Sequence, residues 1–323
     1  MVDVLITEDI KGQAVEALKE KYDVVFEPDL WQSPEGLKKA IKNCKAILVR
    51  NQTQVTKEII EAAPSLKVIG RAGAGLDNID LEAASRSGKV VAYTPEQNSI
   101  SVAELAMGMI ISLARKICAA DKDTKAGNWN RHSFTGCELY GKTLGIVGMG
   151  RIGYRTALRA KAFGMTIIAH DEYANPDATP LSELQATLVS FEELLCKSDF
   201  VSCHLPLTPQ TIDCFDYKKF SLMKPTAFFI NTSRGEVVDE KGLITALEKG
   251  KIAGSAIDVR KKEPCVIDAL SAMDNVILTP HIAAFTNEGQ HRVVASICKD
   301  ISAVIEGKPA KNFFNFATPG AGG

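Results

Sequence analysis

Short runs of apolar residues alternate with segments of helical periodicity along almost the whole chain. The runs are continuously apolar, which indicates strands covered on both faces, as in a parallel sheet. The predicted strands are Val2–Ile6, Val24–Phe26, Ala46–Val49, Lys67–Ile69, Leu144–Val147, Thr166–Ala169, Phe200–Cys203, Ala227–Ile230, Ile252–Ile257 and Val276–Leu278. Because strands that alternate with helices favour right-handed crossovers, the pattern predicts a doubly wound α/β fold. About ten strands are too many for one small domain, so we expect two parallel sheets.

Polar breaks interrupt this rhythm at several places. Residues 94–98 (TPEQN) precede a long helix predicted from about Ser99 to Ala119, and residues 127–130 form a second break. Thr286 begins a last amphipathic helix that reaches about Glu306. A length of 323 residues allows two domains. The residues alone leave the position of the domain boundary open.

Composition narrows the classes of function. The chain is 46% hydrophobic and 24% charged with a net charge of −1, so it has no basic excess to hold nucleic acid or an anionic membrane. The eight cysteines form neither CxxC pairs nor a compact framework, and we expect free thiols and no metal site. The most apolar stretch, residues 105–114, is too short to span a bilayer, and the N-terminus lacks a signal-peptide pattern. These features are typical of a cytoplasmic protein.

Residues 142–153 (KTLGIVGMGRIG) carry the spacing of a dinucleotide-binding loop, with a strand before it and helix-compatible residues 154–163 after it. Gly148 would permit the tight turn, Gly150 would let the backbone approach a pyrophosphate, and Gly153 would let helix and strand pack closely. The pyrophosphate would face free N–H groups at the helix N-terminus. The next strand ends at Asp171, where a carboxylate is suited to the ribose hydroxyls and would repel a 2′-phosphate. We therefore expect NAD as the cofactor.

Hydride transfer from a nicotinamide cofactor to a carbonyl group needs a proton donor at the carbonyl oxygen, and an acidic substrate would also need a cation at its carboxylate. His281 follows a predicted strand in VILTPHIAAFT, and Arg234 follows another in AFFINTSRG. Asp258 ends a third strand, with Glu263 five residues later. The carboxyl ends of parallel strands line the ligand crevice of such sheets. Each residue also has an ordinary interpretation: a structural histidine, a solvated arginine, or a glutamate belonging to the charged run at 260–262.

Seven segments, in this order and spacing, extend the case to nearly the full length. They are GRAGAGLDNIDLEAA (70–84), NSISVAELAMGMI (98–110), GKTLGIVGMGRIG (141–153), HLPLTPQT (204–211), INTSRGEVVDE (230–240), DVRKKEP (258–264) and LTPHIAA (278–284). With them the chain resembles the D-isomer-specific 2-hydroxyacid dehydrogenase family.

The resemblance implies an active site of Arg234, Glu263 and His281. His281 would be the general acid in reduction and the base in oxidation, Glu263 would hold its ring, and Arg234 would clamp the substrate carboxylate. With the loop glycines and Asp171, the expected cofactor contacts are Ala74, Val102, Gly148, Gly150, Arg151, Ile152, Gly153, Asp171, His204, Leu205, Pro206, Thr211, Thr232, Ser233, Asp258 and Ala284. The expected substrate contacts are Arg50, Gly73, Gly75, Arg234 and His281, with backbone N–H groups of the 73–75 loop on the carboxylate.

The resemblance also implies the architecture and the assembly. A Rossmann cofactor domain (99–287) would be inserted into a flavodoxin-like, discontinuous substrate domain (1–98 and 288–323). Members of this type pair through the cofactor domain, so we expect a homodimer whose only other partner is a small 2-hydroxy or 2-oxo acid. The chain corresponds to a short form without a C-terminal regulatory domain.

The expected substrate is 3-phosphoglycerate, oxidised to 3-phosphohydroxypyruvate in serine biosynthesis. Arg50 and Arg131 suit an anionic tail such as phosphate, although each could be a surface cation. Asn51 and Gln54 stand where phosphoglycerate-specific members carry Ser and Lys, which weakens the phosphate argument. Glycerate/hydroxypyruvate, glyoxylate and sulfolactate therefore remain alternatives within the family. A corepressor-like protein that senses NADH is a distant alternative from another class.

Four further positions depart from the family pattern. Ala283 replaces a glycine, Phe285 a small Ser or Thr, and Val102 a Thr. Arg260 stands where an aromatic residue is frequent after Asp-Val.

Overall fold

A computed structural model describes residues 2–174 and 179–320 of the chain. The chain divides into two compact units, one of Met1–Asn98 with Phe285–Gly323 and the other of Ser99–Ala284. Each unit is built on one sheet, and every strand pair in both sheets is parallel. The predicted fold class, two parallel-sheet α/β domains, is confirmed.

Strands and helices alternate through the described residues. The strands are β1 Val4–Ile6, β2 Val24–Phe26, β3 Ala46–Val49, β4 Val68–Arg71, β5 Val90–Ala92, β6 Thr143–Val147, β7 Thr166–His170, β8 Thr187–Leu188, β9 Phe200–Cys203, β10 Phe228–Asn231, β11 Gly254–Ile257 and β12 Val276–Leu278. The α-helices are α1 Gln13–Lys21, α2 Pro34–Ala40, α3 Lys57–Glu61, α4 Leu81–Arg86, α5 Ser99–Arg115, α6 Ile117–Lys125, α7 Arg151–Ala162, α8 Thr179–Leu184, α9 Phe191–Lys197, α10 Tyr217–Leu222, α11 Glu240–Glu248 and α12 Asn287–Ile305.

The first unit carries a five-stranded sheet in the order β2-β1-β3-β4-β5. Helix α12 packs on it with one apolar face, and Ile297 and Ile301 lie over Gly70 of β4. A Cβ at Gly70 would lie 2.5 Å from Ile301 Cδ1, so the missing side chain lets the helix approach the sheet. Thr286 caps α12, because its side chain accepts a hydrogen bond from Gly289 N.

The second unit carries a seven-stranded sheet in the order β12-β11-β10-β9-β6-β7-β8. Its apolar core includes a group of buried phenylalanines, Phe200, Phe215, Phe220 and Phe229. Strand order reverses between β9 and β6, where the chain passes from one half of the sheet to the other. In doubly wound sheets such a switch point leaves a crevice at the carboxyl ends of the strands.

Three local features differ from the sequence prediction. Strands β5 and β8 were not predicted; β8 has only two residues, too few for a recognisable apolar run, whereas β5 has three apolar residues like the predicted β2 and was overlooked. The helix expected to reach Ala119 ends at Arg115, where Lys116 adopts a left-handed φ of 52° and α6 begins. No glycine or proline marks this break in the sequence, so its pattern resembles that of a continuous helix.

None of the helices in the described part of the chain combines the length and apolarity that a bilayer crossing requires. Within those same residues, no three His, Cys, Asp or Glu side chains are grouped closely enough to hold a metal ion.

Candidate active site

The carboxyl ends of the parallel strands of the second sheet bring the predicted chemistry to one edge. The glycine loop follows β6, and the next side chains along the edge come directly or within a few residues after their strands. They are Asp171 after β7, His204 after β9, Arg234 after β10, Asp258 after β11 and His281 after β12. This arrangement follows from the topology, since parallel neighbours end at the same side of a sheet.

A carboxylate and an imidazole form the centre of this edge. His281 Nδ1 lies 2.8 Å from Glu263 Oε2, with the two side chains 32% and 33% exposed. Burial opposes ionisation of Glu263, but His281, the backbone N–H of Arg260 and the charge of Arg234 outweigh it and hold the Glu263 pKa below its ordinary value. An ionised carboxylate only accepts hydrogen bonds, so His281 Nδ1 carries the hydrogen and Nε2 remains for proton transfer.

The turn that presents His281 is organised by Asp258, which is 1% exposed. Asp258 Oδ1 accepts the Thr279 hydroxyl and the Ile282 N–H (2.9 Å), and Oδ2 accepts the Ala283 N–H at 2.9 Å. His281 itself adopts a left-handed φ of 54°, a conformation that surrounding structure must impose on a non-glycine residue. These bonds use three of about four acceptor positions of the carboxylate. Asp258 is therefore first a structural residue of the His281 turn.

Arg234 lies in a turn shaped by a residue that sequence reasoning missed. Asn231, 1% exposed, accepts the Ser233 N–H at 2.9 Å on Oδ1 and donates to the Arg234 carbonyl at 2.8 Å from Nδ2. The Arg234 guanidinium donates to the Ser233 carbonyl at 2.7 Å. The hydroxyl of Thr232 is buried and has no hydrogen-bond partner among the described residues.

The glycine loop has the geometry that its sequence predicts. Gly148 has a φ of 94°, and a Cβ there would lie 2.8 Å from the His204 carbonyl oxygen. A Cβ at Gly153 would lie 2.2 Å from the Gly148 carbonyl oxygen, so a side chain would separate the loop from the helix. At Gly150 a Cβ would meet no described atom within 4 Å, which leaves open space beside the backbone. Asp171 stabilises the loop, because its Oδ2 accepts the Met149 N–H at 2.8 Å.

His204 lies beside this loop with a neutral ring. Its Nε2 is 2.9 Å from the Ser202 hydroxyl, while Nδ1 is buried without a partner among the described residues. Burial of the ring lowers the His204 pKa to about 3. An uncharged ring with one unsatisfied nitrogen suits a polar ligand atom more than a phosphate.

The other expected cofactor contacts of the second unit occupy different positions. Arg151 and Ile152 lie in the first turn of α7, and Val102 is 4% exposed within α5. Thr211 turns its hydroxyl to the Pro206 carbonyl oxygen at 2.7 Å. Leu205 and Ser233 follow the ends of β9 and β10, respectively, and Ala284 is the last residue of the unit.

The expected substrate contacts of the first unit lie at the carboxyl edge of its own sheet. Arg50 follows β3, and its backbone N–H donates to Glu8 Oε1 at 2.8 Å. Its guanidinium donates to Gln290 Oε1 at 2.5 Å and lies 5.1 Å from the centre of the Phe285 ring. Burial lowers the pKa of Arg50, and the carboxylates of Glu8 and Asp9 oppose this effect.

The 73–75 loop follows β4. Gly73 has a φ of 147°, and a Cβ there would lie 1.5 Å from Arg71 Nη1, so glycine is required. The Gly73 N–H donates to the Arg71 carbonyl at 2.9 Å. It is therefore already used in this structure, and Ala74 and Gly75 are the remaining candidates for donors to a carboxylate.

Comparison with known proteins identifies the family. Residues 107–283 match the model described as "D-isomer specific 2-hydroxyacid dehydrogenase, NAD binding domain". The chain belongs to the D-isomer specific 2-hydroxyacid dehydrogenase family. Both the resemblance seen in the sequence and its NAD-binding domain are thereby confirmed.

Relatives within the D-isomer specific 2-hydroxyacid dehydrogenases extend the match to both units. A D-3-phosphoglycerate dehydrogenase of Methanocaldococcus jannaschii is 43% identical over 98% of this chain and 60% of that protein. A D-lactate dehydrogenase of Aquifex aeolicus, solved with NAD and lactic acid, is 30% identical with a TM-score of 0.87, covering 97% of this chain and 99% of that one. A glyoxylate reductase of Paecilomyes thermophila is 33% identical with a TM-score of 0.87, covering 97% and 98%.

The chain spans about three-fifths of the length of the curated relatives it matches, 60%, 56% and 59% of three D-3-phosphoglycerate dehydrogenases. In this member of the D-isomer specific 2-hydroxyacid dehydrogenases, sequence reasoning missed two residues that stabilise loops. Asn231 stabilises the turn of Arg234, and Glu8 stabilises the segment that begins at Arg50. Asn231 is the last residue of β10 and Glu8 lies two residues after β1, so their places at strand ends are the sequence signal that could have identified them.

Proposed function

We propose that the chain is an NAD-linked dehydrogenase that interconverts a D-2-hydroxy acid and its 2-oxo acid, with 3-phosphoglycerate as the first candidate substrate. The observation that carries the proposal is the 2.8 Å pair of His281 and Glu263 on the sheet edge that also holds a dinucleotide loop. An imidazole held by a carboxylate is suited to passing one proton to and from a reacting oxygen.

His281 Nε2 donates a proton to the C2 oxygen in reduction and accepts it in oxidation. Glu263 keeps the hydrogen on Nδ1 and fixes the orientation of the ring. Arg234 binds the substrate carboxylate with its planar fork of donors and polarises the C2 carbonyl. NAD, when bound, supplies or takes up the hydride.

The residues of the second unit fit NAD. The open space at Gly150 accommodates a pyrophosphate, and the unsatisfied Thr232 hydroxyl and His204 Nδ1 offer polar contacts to the rest of the cofactor. Asp171 would bind the ribose hydroxyls and disfavour a 2′-phosphate. We accordingly assign the cofactor to the second unit.

Arg50 supports an anionic group on the substrate. Its guanidinium is held by a neutral amide, Gln290, and an aromatic face, Phe285, and no ion pair to a carboxylate joins it within the described residues. A half-buried cation attracts an anion more strongly than a fully hydrated one. The 43% identity to a D-3-phosphoglycerate dehydrogenase favours phosphate as that anion.

One assay tests these assignments. NADH absorbance is followed with phosphohydroxypyruvate, hydroxypyruvate, glyoxylate and sulfopyruvate. We expect phosphohydroxypyruvate to be preferred and the preference to disappear in Arg50→Ala, while activity on glyoxylate persists. Preference for another acid would assign the chain to that substrate. Turnover of none of them would reject the dehydrogenase and favour a protein that only senses NADH.

We also propose that the second unit forms the homodimer contact. Trp129 is 76% exposed and Ile117 of α6 is 47% exposed, and every residue of α6 is at least partly exposed. A groove of about 520 Å³ beside them is lined by Ile111, Arg115, Ile117, Ala120, Asp121 and Thr124. Light scattering should give a dimer for the wild type and for Phe314→Asp, and a monomer for Trp129→Asp. A monomeric wild type would reject the dimer.

A further inference from the structure

Arg260 is a buried cation in the loop between β11 and β12, and its side chain is 9% exposed. The guanidinium donates from Nε to Glu240 Oε1 at 2.9 Å and from Nη2 to Glu240 Oε2 at 3.3 Å. Nη2 also donates to Asp268. We call these three residues the Arg260 cluster. The cluster connects the start of α11 to two positions of this loop, one before Glu263 and one after it.

The backbone of the same loop contacts both halves of the candidate active site. The Arg260 N–H donates to Glu263 Oε1 at 3.1 Å, while the other carboxylate oxygen binds His281. Gly235, directly after Arg234, packs on this backbone so closely that a Cβ would lie 2.0 Å from the Arg260 carbonyl carbon. Displacement of the Arg260 backbone would therefore shift Glu263 and the Arg234 turn together.

Charge keeps the Arg260 cluster closed. Glu240 also accepts the Lys261 N–H at 3.0 Å, and Lys261 pairs with Asp213 on the other side. Burial opposes ionisation of Glu240 and Asp268, but their hydrogen bonds with Arg260 hold both pKa values below the ordinary range. Both carboxylates and the guanidinium are consequently charged at neutral pH.

The energetics favour a positioning role over a purely stabilising one. Arg260 Nη1 is buried without a hydrogen-bond partner among the described residues, so part of the desolvation cost is uncompensated. A buried ion pair often contributes no more net stability than a well-packed apolar residue of the same size. The charged cluster adds geometric specificity, because a guanidinium donates well-aligned hydrogen bonds to carboxylates in only a few orientations.

We propose that Arg260 is a positioning residue for the proton-transfer pair, holding Glu263 through the loop backbone and Arg234 through Gly235. The inference rests on the proposed function, which gives His281 and Arg234 their roles. An aromatic residue, frequent at this position in the family, would support the loop by packing alone. In this chain the support is ionic.

The experiment compares Arg260→Met, Arg260→Lys and the wild type. A matched control is Arg159→Met, which removes a partly exposed ion pair with Glu104 in the same unit. For each protein we measure kcat and KM with the preferred 2-oxo acid, the Kd of NADH by fluorescence, and the thermal midpoint. In substrate-free protein, NMR follows the titration of the His281 ring, assigned with His281→Ala and compared with Glu263→Gln.

In Arg260→Met we expect kcat to fall about 10- to 100-fold, as for a small misplacement of catalytic groups, with the Kd of NADH within about twofold. The His281 ring signals recorded in that titration should move toward those of Glu263→Gln, because the carboxylate is held less well. Arg260→Lys should recover part of both effects, and Arg159→Met should show neither.

Wild-type kcat and an unmoved His281 titration in folded Arg260→Met would overturn the inference. If Arg260→Met does not fold, Asp268→Asn replaces it, since this variant keeps the Glu240 pair and loosens one end of the loop. A wild type that reduces no 2-oxo acid would instead reject the proposed function. The NMR titration would then still decide whether Arg260 positions Glu263.

Discussion

Glu263→Gln removes one negative charge at nearly constant shape and directly tests the proton-transfer pair. His281 Nδ1 and Glu263 Oε2 are 2.8 Å apart, which places the centres of the two charges at about 4 Å. Unit charges at that separation attract by about 1 kcal/mol in water and about 4 kcal/mol at the effective dielectric of a protein surface.

The exposure of the pair decides between these limits. The side chains are 32% and 33% exposed, so water screens the interaction partly and a value of about 1–2 kcal/mol is appropriate. Since about 1.4 kcal/mol corresponds to a factor of ten in rate, loss of this attraction in Glu263→Gln should slow proton transfer about tenfold. The rate falls because the carboxylate no longer stabilises the positive charge that the ring gains in the transition state.

The assay is kcat/KM in the direction of hydroxy acid oxidation, in which His281 is proposed to act as the base. It should fall about 10- to 100-fold in Glu263→Gln, because both the charge and the orientation of the ring are lost. Glu248→Gln, an exposed carboxylate at the end of α11, is the matched control and should leave kcat/KM unchanged. Wild-type kcat/KM in folded Glu263→Gln would refute the assignment of Glu263 as the partner of His281.

Three further predictions concern cofactor and stability. Gly153→Ala places a Cβ 2.2 Å from the Gly148 carbonyl oxygen and should lower the thermal midpoint by several degrees, whereas Gly150→Ala should leave it unchanged and weaken only NADH binding; equal midpoints for both variants would contradict the loop geometry. Asp171→Asn retains an acceptor for the Met149 N–H but not the charge, so the ratio of kcat/KM for NADH over NADPH should fall about tenfold; a wild type that prefers NADPH would reject the assignment. The pKa of Glu240 lies below its ordinary value of 4.5, so its contribution to the free energy of unfolding is complete above that pH and is lost as the pH falls through the lower folded value. Urea unfolding should therefore show a gap between wild type and Glu240→Gln that narrows on acidification; a constant gap would show that this carboxylate is not coupled to Arg260.

Much of the fold follows from the sequence because its strands are covered on both faces. Continuous apolar runs such as Ala46–Val49 and Phe200–Cys203 are recognisable for this reason, and the structure has strands at those bounds. Strand β8 is an edge strand of its sheet and has only two residues. Two residues show no periodicity, and only the neighbouring strand determines their conformation.

The candidate site divides in the same way between local pattern and tertiary contact. The glycine loop, Asp171 and His281 occupy fixed offsets from strands, so their edge of the sheet follows from topology. The local sequence around Asp258 does not predict its principal hydrogen bonds, because the N–H groups that donate them belong to residues more than twenty positions later in the chain. Arg260 is similar: in the sequence it belongs to a run of charges, and only the approach of Glu240 converts it into a buried ion pair. The residues proposed to act on substrate are thus identifiable by where strands end, whereas the residues proposed to position them become visible only when distant segments meet.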